Sequence, residues 1–160
     1  MKILTTLIVI AVLLALAVVI AGQLGLLSGR QPTLGVRDGK LKAPSKTPNS
    51  VSSQAGLFPD HPQLEYARIE PLRFSGDGAG AMAKLAAVLQ KQERTVLVSQ
   101  GPDYIYAQCS TAVLKFTDDV EFMLDAGAGV IHVRSGSRLG RKDFGVNRAR
   151  IEAIRARFTP

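Results

Sequence analysis

Cysteine is nearly absent from this sequence, and histidine is scarce. Cys109 is the one cysteine in 160 residues, so no disulfide can form within the chain. Disulfide-stapled scaffolds and cysteine-rich zinc sites are therefore excluded. His61 and His132 are the only histidines and lie far apart in sequence. The sequence predicts neither a metal site nor a cofactor.

Aromatic residues are also few, at 6% of the sequence, and tryptophan is missing. Proteins that hold single-stranded nucleic acid commonly stack its bases on aromatic side chains. The basic C-terminal part of this chain has only Phe144 and Phe158 as aromatics. We therefore expect no nucleic-acid partner.

The net charge of +7 is concentrated at one end of the chain. Residues 134–160 contain 8 basic and 2 acidic residues, a surplus of +6, whereas residues 30–133 contain 11 of each. Such a basic segment suits an acidic strand of the same protein, an anionic lipid surface or an anionic ligand. The composition leaves these three partners open.

Charge is absent from a 19-residue run between Ile3 and Ala21, which also lacks proline. As a helix this run would span roughly 28 Å, close to the hydrocarbon thickness of a bilayer. We predict a single-pass transmembrane anchor within residues 1–27, with the membrane as partner through residues 3–21. A cleaved signal peptide is the alternative, although the apolar core of a signal peptide usually has about 7–15 residues.

The charges that flank this run give two indications of orientation. Lys2 precedes it, whereas Arg30, Arg37, Lys40 and Lys42 follow it. By the positive-inside rule, the basic residues that follow the run argue against export of the C-terminal part. A short N-terminal segment with one lysine is nevertheless typical of export signals. We expect a C-terminal domain on the periplasmic or other extracytoplasmic side, within the cell envelope.

Residues 28–62 show neither helical nor strand periodicity and contain five of the eight prolines. This composition predicts a linker, either a flexible stalk or an extended strap laid over the following domain.

Residues 63–160 have the patterns of a compact domain in the order β-α-β-β-β-β-α. Consecutive strands with short turns pair antiparallel. The predicted fold class is α+β, an antiparallel sheet of about five strands with two main helices on one face, preceded by the transmembrane helix. The expected strands are 65–74, 95–99, 104–113, 116–125 and 130–138, and the helices are 79–92 and 147–158, the second with Asn147 as its N-cap.

Opposite charges lie on the two arms of the predicted hairpin 116–138. With the segment AGAG as its turn, Glu121 lies directly opposite Arg134, and Asp119 is diagonal to both Arg134 and Arg138. Side chains alternate between the two faces of a sheet, so these four charges share one face. The apolar residues of both arms share the other face.

Asp118 is the exception, because the same alternation places it on the apolar face, opposite Ser137. A buried carboxylate needs hydrogen bonds or a cation there. We expect partners for Asp118 within the fold.

Three interpretations of these charges stay open. The first is an exposed ladder of ion pairs, each contributing roughly 0.2–1 kcal/mol. The second is an anion-binding site in which Arg134, Arg138 and Arg148 hold the ligand while Asp118 or Asp119 orients them. The third is an enzyme acting on an anionic small substrate with the same two aspartates and the first two arginines. We assign no catalytic residue.

The final predicted helix has a narrow apolar stripe that ends at Phe158, and arginines flank the stripe on both sides. Arginines in such positions can reach down onto an acidic sheet surface or extend toward a membrane interface. We favour packing on the sheet, and a peripheral lipid-surface domain is the alternative.

Three stretches, TPNSVSSQ, FTDDVEFMLD and VRSGSRLGRKDFGVNRARIEAIR, together resemble the domain of unknown function 1499 family, which is found in bacteria, with related domains in cyanobacteria and chloroplast lumens. The resemblance covers about residues 41–158, and its most specific part is Ser-Arg-x-Gly followed by Asp-x-Gly-x-Asn-Arg-x-Arg. It implies no established activity or cofactor. It does suggest that the hairpin charges and Ser137, Asp143, Asn147 and Arg148 belong to one constellation. We therefore predict a membrane-tethered module with a binding or structural role.

Overall fold

The N-terminal run forms a long helix that ends against the rest of the protein. The computed structural model describes residues 1–158, so the last two residues of the predicted domain 63–160 lie outside the described part. Helix α1, Lys2–Gln23, is the one described helix that is long and apolar enough to cross a membrane, a property that signal sequences share. Its 22 residues correspond to roughly 33 Å at 1.5 Å per residue.

A six-stranded antiparallel sheet forms the body of the domain. Its strand order is β1-β6-β5-β4-β3, and β2 pairs with β6 beside β1. The predicted α+β class is confirmed, with one strand more than the expected five. The strands are β1 (Ser50–Ser52), β2 (Leu72–Arg73), β3 (Thr95–Gln100), β4 (Tyr104–Ser110), β5 (Thr117–Asp125) and β6 (Val130–Ser137).

Two differences from the predicted elements concern the start of the domain. Strand β1 lies within residues 28–62. Its sequence Ser-Val-Ser has one apolar residue and is too short for its alternation to indicate a strand, and all three residues are buried. The strand expected at 65–74 is a short helix, α2 (Leu64–Ala67), followed by the two residues of β2. Pro71 has no backbone N–H to donate and limits pairing to the residues after it.

Helices α3 (Gly78–Gln90) and α4 (Val146–Phe158) pack on the apolar face of the sheet. The side chain of Asp77 accepts a hydrogen bond from the Ala79 N–H at 2.7 Å and caps α3. The core consists of Leu85 and Leu89 from α3, Ile151, Ile154 and Phe158 from α4, and Ile105, Val120, Phe122, Ile131 and Val133 from the sheet, among others. The predicted stripe of α4 is therefore confirmed.

Asn147 is not the N-cap of α4, contrary to the prediction. It lies inside the first turn, and its backbone N–H donates to a carboxylate oxygen of Asp143 at 3.0 Å. Asp143 also accepts from the Gly145 N–H at 3.1 Å, so its carboxylate satisfies two of the backbone donors where the helix begins.

Residues 31–49, which we call the strap, lie between α1 and β1, and the first part of the strap lies against the polar face of the sheet. The Gly35 N–H donates to Glu121 at 2.8 Å. Gln54, just beyond β1, accepts from the Leu41 N–H at 2.8 Å and donates to the Gly39 carbonyl at 3.1 Å. These contacts hold the middle of the strap onto the domain.

Candidate functional site

The charged hairpin forms with the predicted register. Glu121 lies opposite Arg134, and Asp118 lies opposite Ser137, in the antiparallel pairing of β5 with β6. The two faces that this register creates carry two separate polar networks. We call them the strap-face network and the helix-face network after the element that covers each.

Glu121 and Arg134 form the centre of the strap-face network. Arg134 Nη1 lies 3.3 Å from Glu121 Oε2, and the Glu121 side chain is fully buried. The Tyr104 hydroxyl donates to Glu121 Oε1 at 2.8 Å, and the Gly35 N–H of the strap donates to the same oxygen. Glu121 therefore accepts from three different elements, β4, β6 and the strap.

Asp119 and Arg138 form the second pair of this network. The Nε and Nη2 atoms of Arg138 both donate to the Asp119 carboxylate, at 3.0 Å and 2.7 Å. The Tyr106 hydroxyl donates to Asp119 at 2.6 Å and accepts from Arg138 at 3.0 Å. Two donors of one guanidinium on one carboxylate fix the orientation of both side chains.

The expectation of an exposed ladder of ion pairs is wrong, because these pairs are buried. Both arginine side chains are 7% exposed, and those of Glu121 and Asp119 are 0% and 1% exposed. The next strand supplies part of the cover, since Tyr106 pairs with Glu121 and Tyr104 with Met123 across β4 and β5. The strap supplies another part. Removing two charges from water costs free energy, so a buried pair stabilises the fold only when its remaining donors and acceptors are also hydrogen-bonded.

Burial changes the protonation behaviour of the groups in the strap-face network. Desolvation, followed by the neighbouring carboxylates, raises the pKa of Tyr104 and of Tyr106, so both hydroxyls remain donors. Desolvation lowers the pKa of Arg134, whereas the hydrogen bond to Asp119 raises the pKa of Arg138. Arg134 Nε is buried and has no hydrogen-bond partner among residues 1–158.

Asp118 receives its cation from α4 in the helix-face network. Arg150 Nη2 lies 2.5 Å from Asp118 Oδ2. The other terminal nitrogen of Arg150 donates to the Ser135 hydroxyl at 3.0 Å and to Asn147 Oδ1 at 2.8 Å. Asp118 is buried on the helix-covered face, as its position in the strand predicts, and Arg150 supplies the compensating charge.

Asn147 connects β6, α4 and the strap. Its amide nitrogen contacts the Asn49 carbonyl at 3.0 Å, the Ser137 hydroxyl at 2.9 Å and Asp143 at 2.8 Å. The Ser135 hydroxyl donates to the amide oxygen at 2.6 Å. Asn147 is fully buried, so these partners satisfy both halves of its amide.

The carboxylate of Asp143 accepts hydrogen bonds from three residues. They are the Tyr66 hydroxyl, both nitrogens of Asn147 and the Gly145 N–H. Burial by itself raises the pKa of Asp143, but the hydrogen bonds from Tyr66 and Asn147 outweigh it and the pKa is lowered. Burial and then Asp143 raise the pKa of Tyr66, so this hydroxyl stays a donor.

Arg148 does not join Arg134 and Arg138. Its Nη2 atom donates to the carbonyls of Tyr66 and Arg68 at 2.7 and 2.8 Å, on the helix-covered side of the domain. Arg155 similarly donates to the Pro71 and Glu70 carbonyls, both at 2.6 Å. Arg148 and Arg155 therefore hold the segment before β2, whereas Arg150 is the arginine of α4 that reaches an acidic residue of the sheet, as the sequence favours.

The structure divides the residues singled out from the sequence between two faces. Asp119, Glu121, Arg134 and Arg138 lie together on the strap face, whereas Asp118, Ser137, Asp143 and Asn147 lie on the helix face. Arg150, Tyr104 and Tyr106 were missed. The tyrosines alternate with apolar residues on β4, so the β4–β5 register would have found them. Arg150 gave no comparable signal, because arginines flank the α4 stripe on both sides.

An open cleft of about 320 Å³ lies at the end of the sheet where β5 begins and β6 ends. Neither Arg138 nor Arg148 lines it. Within residues 1–158 no group of three His, Cys, Asp or Glu side chains could hold a metal ion. The lining residues are Thr111, Phe116, Asp118, Ser137, Leu139, Gly140, Lys142, Asp143, Phe144 and Val146.

Comparison with known proteins gives one match. A family model described as a protein of unknown function, DUF1499, matches residues 40–158, more than half of the chain. No curated protein and no solved structure matches.

Proposed function

The chain belongs to the DUF1499 family of proteins of unknown function, and from that premise we propose that it is a membrane-tethered structural module of the cell envelope. In this proposal its buried charges brace the fold and fasten the strap, and they are neither a catalytic set nor an anion-binding site. The observation that carries the proposal is that buried carboxylates and guanidiniums on both faces meet partners from other elements of the same chain.

The pattern of contacts supports a brace because each charged side chain joins separate elements. Glu121 links β5 to β4, β6 and the strap, and Asp118 links β5 to α4. Asn147 links α4 to β6 and to the last residue of the strap. Charges placed this way hold the layers in one register, which is the best-attested use of buried polar groups.

The strap is the segment that the brace fastens, and this supports the tethered part of the proposal. Gly35 is held by Glu121, and the Asn49 side chain donates to the Gly140 carbonyl at 2.7 Å. A segment held at both of these points does not act as a flexible stalk. The domain therefore stays close to the end of α1, which we take to be an uncleaved anchor with the domain on the extracytoplasmic side.

An enzyme that combines Asp118 and Asp119 with Arg134 and Arg138 finds less support. Asp118 and Asp119 face opposite sides of the sheet, so they cannot act on one substrate together. Asp119 is held by Arg138 and Tyr106, and its side chain is almost completely buried.

A mutant cycle on the full chain in nanodiscs tests the brace. Arg134→Met leaves the buried Glu121 carboxylate without its cation and should destabilise the domain by about 3–5 kcal/mol. Adding Glu121→Gln removes the charge while its amide oxygen still accepts from Tyr104 and Gly35, and it should restore most of the loss. Chemical denaturation monitored by circular dichroism measures both changes. Glu93→Gln, in the exposed pair with Arg94, is the matched control and should cost well under about 1 kcal/mol.

Two results would overturn the brace. One is a loss for Arg134→Met no larger than that for Glu93→Gln. The other is a rise in melting temperature with inorganic phosphate that is present in the wild type and absent in Arg134→Met. That rise would assign the unpartnered Arg134 Nε to an anion.

A further inference from the structure

One end of the domain exposes apolar side chains beside the exit of α1. It is formed by the loop after β4, residues 111–116, and the loop between β6 and α4, residues 138–145. We call it the loop end. Its exposed apolar residues are Val113, Phe116, Leu139, Phe144 and the adjoining Val146.

Phe144 is the most unusual of these residues. The residue is 92% exposed, and its backbone has a φ of +53°, a conformation that bulky residues rarely adopt. The neighbouring Asp143 and Asn147 are fully engaged in the helix-face network, so the loop is held firmly behind Phe144. The backbone on either side of Phe144 is thus held while its large apolar ring lies in water, at a cost in both hydration and backbone strain.

The loop end is continuous with the anchor. The side-chain nitrogen of Gln23, the last residue of α1, donates to the Val113 carbonyl at 2.7 Å. A Cβ atom at Gly29 would lie 2.8 Å from Cβ of Arg138 and 3.0 Å from Cγ of Leu139, so the chain leaving α1 passes closely over the second loop. Leu24 and Leu26 are exposed in this connection. The point at which α1 leaves a bilayer is therefore next to the exposed apolar side chains.

Basic residues surround this apolar surface. Arg141 and Lys142 are exposed in the second loop, and Arg30 is exposed where the connection reaches it. Apolar side chains surrounded by lysine and arginine are typical of surfaces that enter the headgroup region of anionic membranes. Arg148 and Arg150 of α4, in contrast, are engaged with the domain.

We propose that the loop end docks on the bilayer that α1 spans, with Phe144 and Leu139 in the headgroup–acyl boundary and Arg141 and Lys142 at the anionic headgroups. The inference rests on the proposed tether through α1 and adds the loop end as a second membrane contact. The domain would then rest on the membrane surface. The partner that we assign to the loop end is therefore lipid.

Depth-dependent fluorescence quenching in nanodiscs tests the docking on the full chain. A polarity-sensitive fluorophore is attached to one introduced cysteine at a time, and the lipids, phosphatidylcholine with phosphatidylglycerol, carry quenchers at a shallow or a deep position. Val146→Cys reports the loop end. Ala128→Cys, in the turn at the opposite end of β5, is the matched control. Val12→Cys reports the anchor, and the unaltered chain with its buried Cys109 is the blank.

Docking predicts shallow quenching at residue 146 that is several-fold stronger than at residue 128. Phe144→Asn should lower it toward the control, and so should Arg141→Gln with Lys142→Gln or a change to phosphatidylcholine alone. Asn tolerates positive φ better than Phe, so Phe144→Asn should not lower the melting temperature. This separates loss of docking from loss of the fold.

The outcomes distinguish this inference from the proposal on which it rests. Deep quenching at residue 12 with equal, weak quenching at residues 146 and 128 overturns the docking and leaves the tether. No deep quenching at residue 12 overturns both. Quenching at residue 146 that is unchanged by Phe144→Asn and by lipid charge also contradicts the docking, because the named side chains would then contribute nothing.

Discussion

At the residue scale, three neighbouring carboxylates on β5 serve two faces of the sheet. Asp119 and Glu121 point to the strap face, and Asp118 points to the helix face. Each buried ion costs several kcal/mol to desolvate, and its partners roughly offset that cost. In the proposed brace their contribution is mainly to specificity, because any other register would leave a buried charge without its partner.

Asp143 gives a residue-scale prediction with a defined pH dependence. Its pKa is lowered from the ordinary 3.8, so its ionised form stabilises the folded state above that pH, and the contribution is lost as the pH falls through the folded pKa. Asp143→Asn should therefore cost about 1–2 kcal/mol near neutral pH, through the weakened start of α4. The difference from the wild type should shrink below about pH 4.

Thermal denaturation at a series of pH values measures this difference. Asp60→Asn, at an exposed aspartate outside the helix-face network, is the control for this variant. A difference for Asp143→Asn that stays constant between neutral and strongly acidic pH would contradict the assigned role of its carboxylate.

At the element scale, the junction between α1 and the loop after β4 depends on one glycine. A Cβ atom at Gly22 would lie 2.6 Å from the carbonyl oxygen of Leu114, closer than real Cβ atoms approach. Gly22 is buried, and the hydrogen bond from Gln23 to the Val113 carbonyl lies directly beside this contact. The absence of a side chain lets the helix end rest on the loop backbone.

Gly22→Leu should therefore separate α1 from this loop without unfolding the sheet. The backbone amides of residues 111–116 should exchange hydrogen several-fold faster in the full chain held in nanodiscs, as measured by mass spectrometry. Ala17→Leu enlarges an exposed residue of the same helix and should change nothing in the loop. Equal exchange in the two variants would count against the close contact.

At the scale of the whole molecule, the strap joins the apolar helix α1 to a domain whose charged pairs are buried. The strap passes from the end of α1 to β1 and is held by Glu121 on the way. Burial of the charged pairs leaves basic residues such as Arg141, Lys142 and Arg157 on the surface. Each buried pair is neutral, so the net charge of +7 remains on the groups outside these pairs.

The tether yields a whole-molecule prediction. Full-length chain should remain in the membrane pellet after an alkaline carbonate wash, and its intact mass should include α1. Val12→Arg with Leu13→Arg places two charges in the middle of the helix, each costing about 2.5–3.5 kcal/mol of insertion free energy. That variant should move to the soluble fraction, whereas Val12→Leu should not. A mature wild-type chain that lacks α1 would identify the helix as a cleaved signal.

The elements that the sequence predicts well are those with clear periodicity. The β5–β6 register follows from alternation and a short turn, so Glu121 opposite Arg134 is found without a structure. Strand β1 is missed because Ser-Val-Ser is shorter than the roughly 4–8 residues over which alternation indicates a strand. The partner of Asp118 is missed because sequence does not say which of several arginines on α4 meets the sheet.

The sequence by itself determined the apolar N-terminal helix, the α+β class, the hairpin register and the membership of a family whose model covers residues 40–158. These features depend on local periodicity, on chain connectivity and on motif order. Only the tertiary structure decided that the charges are buried, that Tyr104 and the strap cover them, and that Arg150 meets Asp118. Burial depends on segments that are distant in sequence, and no local pattern specifies which of them comes to lie over a given face.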